Sequence, residues 1–246
     1  MVSVVAVSLK KKGQHIELLS LLWFAAGAVL LWFGLRPLMP AGYALAGRGL
    51  AAVINVRSAL AGAFFGAQAF LPLMLTEARG LPLQWAAWTM TIGSLGWTFG
   101  AWLQSRRWLR MRRDAIITAG ALSLGVGLAL LAIGAWLQAV PVAILLIGWI
   151  FAGLGMGLAV ASTSLGVMQL SHAVELGRST SSLQVGEALG NSLGAGLAGT
   201  LYLLAAGVLP TALGFAPMLT AMAGVAVLGT LASRRIGELA NHSAAA

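Results

Sequence analysis

Residues 181–199 read SSLQVGEALGNSLGAGLAG. The stretch is apolar and glycine-rich enough to lie in lipid, yet Glu187 stands near its start with Gln184 and Asn191 beside it. At 100° per residue these three polar side chains are neighbours at i+3 and i+4 on one helical face. Gly186, Gly190 and Gly194, four apart, form a second stripe about a quarter turn away. Small residues let helix backbones approach closely where association in lipid brings no hydrophobic gain. A charge at bilayer depth costs about 2.5–3.5 kcal/mol on insertion scales, so the polar stripe has to face protein or water. One helix of a membrane-embedded bundle satisfies both demands.

The rest of the chain is written in the same terms. Of 246 residues 59% are hydrophobic and only 9% charged, too few to clothe a soluble domain of this length. A helix crosses the hydrocarbon with about 20 mostly apolar residues. By that length the sequence holds about seven spans, at 17–35, 52–76, 84–104, 115–137, 143–169, 182–206 and 213–232. The long runs lack the short alternating segments of a barrel, so the expected fold class is all-α, a polytopic transmembrane helical bundle. Residues 1–16 read as an external tail. Their apolar start, MVSVVAVSL, is too short to cross and precedes Lys10–Lys12 instead of following them, which excludes a signal peptide and suggests the remnant of a missing helix. Residues 17–35 form an extra span, 36–51 a cytoplasmic connection, 52–232 a six-helix unit and 233–246 a cytoplasmic tail.

Charge orients the bundle. Eleven of the fifteen basic residues (Arg36, Arg48, Arg57, Arg106, Arg107, Arg110, Arg112, Arg113, Arg178, Arg234 and Arg235) fall on one side of a seven-span layout. Lys10–Lys12 and Arg79 fall on the other. The positive-inside rule puts the eleven in the cytoplasm, with the N-terminus outside and the C-terminus inside, as in a multi-pass protein of the cell (inner) membrane. Pro82, Pro141 and Pro210 punctuate the external turns, since proline cannot continue a fully bonded helix. The net charge of +9 is a topology signal. The basic residues lack the interleaved aromatics of a nucleic-acid face, so no nucleic-acid partner is expected. With no cysteine, and with His15, His172 and His242 in separate loops or tails, neither a metal site nor another cofactor is expected.

Glu187 therefore has to be neutral, face a cavity or meet a cation. Arg57, near the start of the second span, is the nearest candidate partner, and its alternative is to snorkel to the interface. Two readings of Glu187 stand side by side: a fixed ion pair holding helices in register, and a carboxylate that takes up and releases a proton during transport. Gln68, mid-span in the same helix as Arg57, is a further inward-pointing polar group, and Gln184 and Asn191 shape the surroundings of Glu187. Two seven-span chemistries fail on inspection. A retinal Schiff base needs a lysine in the last helix, and no lysine follows Lys12. An intramembrane serine protease needs a serine–histidine pair, and Ser162 and Ser164 have no such partner.

Two longer stretches carry a family likeness. RSALAGAFFGAQAFLPLMLTEARGLPLQWAAWTMTIGSLGWTFGAWLQSRR (57–107) resembles a helix, external turn and return helix of bacterial major facilitator superfamily permeases, most of all the multidrug-efflux-like branch. GLGMGLAVASTSLGVMQLSHAVELGRSTSSLQVGEALGNSLGAGLAG (153–199) is similar to the later helix pair of their C-terminal half. The resemblance implies a six-helix half built of two three-helix inverted repeats, 52–137 and 143–232, with substrate bound near midplane between two halves. It implies a proton-coupled antiporter that expels small or amphipathic solutes, with no covalent chemistry and no enzyme activity. A separate N-terminal half or a second copy would then be required as partner, along with the bilayer and protons. The family's loop motif is matched in part by GAWLQSRRWLRMRR (100–113), through Gly100 and the basic Arg106, Arg107, Arg110, Arg112 and Arg113. Ser105 stands where the motif has an acid, and Gln68 where relatives are expected to carry a carboxylate, leaving Glu187 as the acid deep in a span. The alternative is a non-transporting fragment or a structural subunit of a larger permease.

Overall fold

The computed structural model describes residues 27, 33–45, 47–106 and 109–240. The chain divides into two units, 1–39 and 40–246, of which the second contains the helical bundle. The expected tail 1–16 and most of the span at 17–35 lie outside the described residues.

Six long helices follow: α1 (Leu50–Glu77), α2 (Leu83–Gln104), α3 (Arg113–Trp136), α4 (Val142–Leu170), α5 (Leu176–Ala206) and α6 (Ala216–Ser233). No strand occurs among the described residues. The helices start and stop close to the expected spans because the punctuation is local. Pro82 and Pro141 hold extended backbone immediately before α2 and α4, and Pro210 precedes a single 3-10 turn leading to α6. α1 runs unbroken through Pro72. α5 begins six residues earlier than expected, at Leu176, so that its first turns are hydroxyl-rich and not apolar.

Five stretches among the described residues are long and apolar enough to cross a membrane: α1, α3, α4, and the segments Ala173–Ala206 and Thr211–Ser233 that contain α5 and α6. The expected span at 84–104 is a helix of 22 residues, α2, but does not meet that hydropathy level. The reason is visible in its letters, since Thr89, Thr91, Ser94, Thr98 and Gln104 interrupt the apolar run. The bundle is thus all-helical and compatible with a multi-pass membrane protein.

Packing follows a distinct exchange. α4 packs most extensively on α3 and α2, while α1 packs on α5 and α6; α3 also meets α6 and α1 meets α4. Swapping α1, α2 and α3 for α4, α5 and α6 maps these contacts onto one another, whereas the packing of α5 on α6 has no α2–α3 counterpart of similar extent. Glycine makes the closest contacts possible. On α5, Gly190 and Gly194 lie against the Ser58 and Gly62 backbone of α1, where any β-carbon would collide with a carbonyl. On the other pair, Gly153 and Gly157 of α4 meet Gly93, Trp97 and Gly100 of α2 in the same manner. α4 turns a second glycine face to α3, Gly148 against Gly127 and Gly155 against Gly120. The side chains left between the seams form the core, with Trp149, Ile54, Leu60, Leu124, Leu128 and Phe215 fully buried.

Both ends of the bundle are tied. At one end the Arg79 guanidinium donates to the carbonyls of Gly134 and Leu137 at the end of α3, and to those of Gln138 and Val140 in the turn that follows. Burial there pulls the Arg79 pKa below its ordinary value. At the other end residues 236–240 lie packed on the bundle. Ile236 and Leu239 are buried, Leu239 N–H donates to Asp114 Oδ1, and Arg113 N–H donates to the Leu239 carbonyl. Arg112 bridges Asp114 and Glu238, and hydrogen bonds to Glu238 and then to Asp114 push its pKa up. Residues 241–246 lie outside the described residues.

Candidate functional site

The glycine seam between α1 and α5 decides where the charges meet. Because Gly186 and Gly190 carry no side chain, α5 comes down onto Ile54 and Ser58, and the next residue, Glu187, reaches Arg57 on the neighbouring turn. Arg57 Nη2 donates to Glu187 Oε2 at 2.7 Å. The other terminal nitrogen, Nη1, turns to α4, donating to the Val160 carbonyl at 2.6 Å and to Thr163 Oγ1 at 2.9 Å. Thr163 can accept that bond because its own hydroxyl hydrogen is directed at the Ala159 and Val160 carbonyls. One guanidinium therefore joins α1, α4 and α5.

The two partners are not equally enclosed. The Arg57 side chain is 5% exposed and that of Glu187 21% exposed. Arg57 Nε has no hydrogen-bond partner. A charge-assisted bond of this length is among the stronger polar contacts in proteins. Removing one side of a buried pair leaves the other charge uncompensated, which costs about 3–5 kcal/mol. Chemically the arrangement can do one thing that a hydrophobic contact cannot: a proton arriving at the more open carboxylate would cancel its charge and loosen the tie between α5 and the α1–α4 pair.

Among the other expected site residues, Gln184 is exposed and Asn191 half-buried, one turn to either side of Glu187 on α5. The bond that the Glu187 carboxylate makes runs across to Arg57 and not along the helix. Gln68 sits elsewhere, in a cavity of about 320 Å³ between α1, α2 and α4, with Phe65, Ser94, Trp97, Thr98 and Trp149 among its walls. Its amide nitrogen donates to Met90 Sδ at 3.3 Å, and its Oε1 is buried without a partner. Ser94 and Thr98 direct their hydroxyl hydrogens to helix carbonyls, and the Trp149 indole N–H is taken by the Thr89 carbonyl at 2.8 Å. With those hydrogens committed, the hydroxyls of Ser94 and Thr98 and the Gln68 Oε1 are left as acceptors at the cavity. Its size lies at the small end of the ligand-pocket range.

Of the loop-motif residues, Gly100 lies in the last turns of α2 and packs against the Leu154 carbonyl and Gly157, where a side chain would not fit. Arg106 stacks over the Trp102 ring at 4.1 Å, Arg110 is exposed, and Arg113 is buried with Nη1 donating to Gln104 Oε1 at 2.8 Å. Arg107 lies outside the described residues. Asp114, not singled out in the sequence, receives Arg112 and the Leu239 amide. Val160 and Thr163 were likewise missed, since a backbone carbonyl and a helical threonine carry no signal in a sequence. No group of three or more His, Asp or Glu residues able to hold a metal occurs among the described residues. No protein-family model matches the chain, and none of the curated proteins compared does.

Proposed function

We propose that this chain is the C-terminal half of a secondary transporter of the major facilitator type, working by proton-coupled exchange. The observation that carries the reading is the Arg57–Glu187 pair, in which an enclosed cation holds a more open carboxylate across three helices. The internal neighbour pattern, in which the first three helices and the last three exchange roles, supports two repeats of three helices. In this reading the eleven-arginine side is cytoplasmic and the membrane is the bacterial inner membrane. Glu187 accepts the proton, Arg57 receives the carboxylate when the proton leaves, and Gln184 and Asn191 line the path to it. The cavity at Gln68, rich in acceptors and rings, suits a small amphipathic or cationic solute. Transport requires a second wall, supplied by a separate N-terminal half or a second copy.

The competing reading is a fixed tie in a non-transporting fragment or structural subunit, and the same buried bond favours it. The two separate on one substitution. Glu187→Gln keeps shape and hydrogen-bonding capacity but cannot exchange a proton. Dye efflux driven by a pH gradient, from cells or vesicles holding the chain with its partner half, is expected to vanish in Glu187→Gln while the amount of folded protein is unchanged. Efflux that still follows the gradient removes the proton role, and loss of the folded protein instead identifies a structural tie.

A further inference from the structure

We infer that the outer groove between α2 and α4 binds one anionic phospholipid of the arginine-rich leaflet, its acyl chain in the groove and its phosphate at Arg106 and Arg110. The inference rests on the reading that α2 lies across the bilayer.

The groove, about 520 Å³, runs between the helices with Ile92, Leu95, Phe99, Ile147, Ile150 and Leu154 among its walls, and the lining is almost wholly apolar. It exists because Gly96 draws α2 onto the backbone of α4 at Ile150 and Leu154. The flanking side chains then stand outward on either side. Leu95, Phe99 and Ile147 remain about half exposed. This is the side of α2 away from Ser94 and Thr98, which face the Gln68 cavity. At the groove's end Phe99 stacks on Trp102 with ring centres 5.6 Å apart, and Arg106 lies over the same indole. An apolar trough thus passes through an aromatic step to a fixed cation, the order in which a lipid presents chain, glycerol and phosphate.

Length and charge agree. From Ile92 to Arg106 the chain rises about 21 Å at 1.5 Å per residue. One leaflet offers about 15 Å of hydrocarbon and roughly 5–8 Å of headgroup layer. Of the basic cluster, Arg112 is held by Asp114 and Glu238 and Arg113 by Gln104, whereas Arg106 at the groove's end is exposed, as is Arg110, which follows the Leu109 N–H bond to the Arg106 carbonyl. Guanidinium is the side chain that matches a phosphate with paired donors.

The test uses the full chain purified in neutral detergent and titrated with phosphatidylglycerol or phosphatidylcholine of identical acyl chains, with bound lipid counted by native mass spectrometry. Phosphatidylglycerol is expected to bind about tenfold tighter, by the surface attraction of two arginines. The double variant Arg106→Gln/Arg110→Gln should bring the two lipids to near equality, and Arg106→Lys/Arg110→Lys should restore most of the difference. Equal unfolding midpoints of the variants exclude a folding defect. Soluble glycerophosphate should not displace the lipid, because the groove holds the chain. Equal affinity for the two lipids in the unaltered protein overturns the inference, as does preference surviving in the glutamine pair or displacement by glycerophosphate. So does cross-linking of Leu95→Cys to a second copy, which would give the groove a protein occupant. Glu187→Gln is expected to retain the lipid preference, so failure here and failure of the proton role are read separately.

Discussion

At the scale of single residues, the central fact is the division of labour within one guanidinium. Arg57 gives one terminal nitrogen to α4 and the other to α5. Replacing it by glutamine strands Glu187, and thermal unfolding in detergent should show a loss of about 3–5 kcal/mol. The double replacement Arg57→Gln/Glu187→Gln should recover a large part of that loss, and the double-mutant cycle measures the coupling directly. A double variant no more stable than Arg57→Gln alone would place the cost in the Val160 and Thr163 contacts instead. The choice of Arg57 as partner for Glu187 was legible in the sequence, because so few charges fall inside spans that the candidates for pairing reduce to a handful. The role of α4 was not. A helical threonine gives no outward sign that its hydroxyl hydrogen is already committed and that its oxygen is free to accept. The shared face of Gln184, Glu187 and Asn191 was also correct as helix geometry, but a common face does not make common partners. Glu187 bonds across to another helix, and Gln184 remains exposed.

Helices in this bundle meet by absence of side chains more than by their presence. Gly194 and Gly196 stand two apart on α5 and make opposite predictions. A β-carbon on Gly194 would strike the Gly62 carbonyl, whereas one on Gly196 meets nothing within 4 Å. Gly194→Ala should therefore cost about 1–3 kcal/mol by forcing α1 and α5 apart. Gly196→Ala should be neutral or stabilise by up to about 1 kcal/mol through helix propensity. Unfolding midpoints of the two variants side by side check the seam, and equal effects would refute it. The four-residue glycine spacing announced these stripes in advance. Helix ends were legible too, wherever proline marked them. The α5 start was not, because the hydroxyl-rich turns from Leu176 lack the apolar signal by which spans are read, although Ser182 and Thr180 satisfy themselves on helix carbonyls. The docking of residues 236–240 was equally silent, since two apolar residues in a charged tail have no periodicity to betray them.

For the molecule as a whole, coverage is uneven. The most hydrophobic window of the α5 segment is 17% buried, against 44–56% for the other four apolar stretches. Its exposed residues include Gln184, whose amide would lack water among acyl chains. Under the half-transporter reading, a second protein surface covers it. The chain has no native cysteine, so Gln184→Cys reports on that surface alone. In membranes this variant is expected to cross-link to a partner half or to a second copy, while Val227→Cys, half exposed on α6, should not. A strictly monomeric Gln184→Cys chain would turn α5 toward lipid and remove the case for a partner.

The exchange of α1 and α4 between the two groups of three helices also sets a clock on assembly. Arg57 and Glu187 are 130 positions apart in the chain. At roughly 5–20 residues per second of synthesis, the arginine waits about 7–26 s after emerging before its carboxylate exists. Until residue 142 is made α1 has no α4 to lie against, and until residue 176 no α5. The three-helix tie at Arg57 is thus a late event of synthesis, closed only once α4 and the first half of α5 exist.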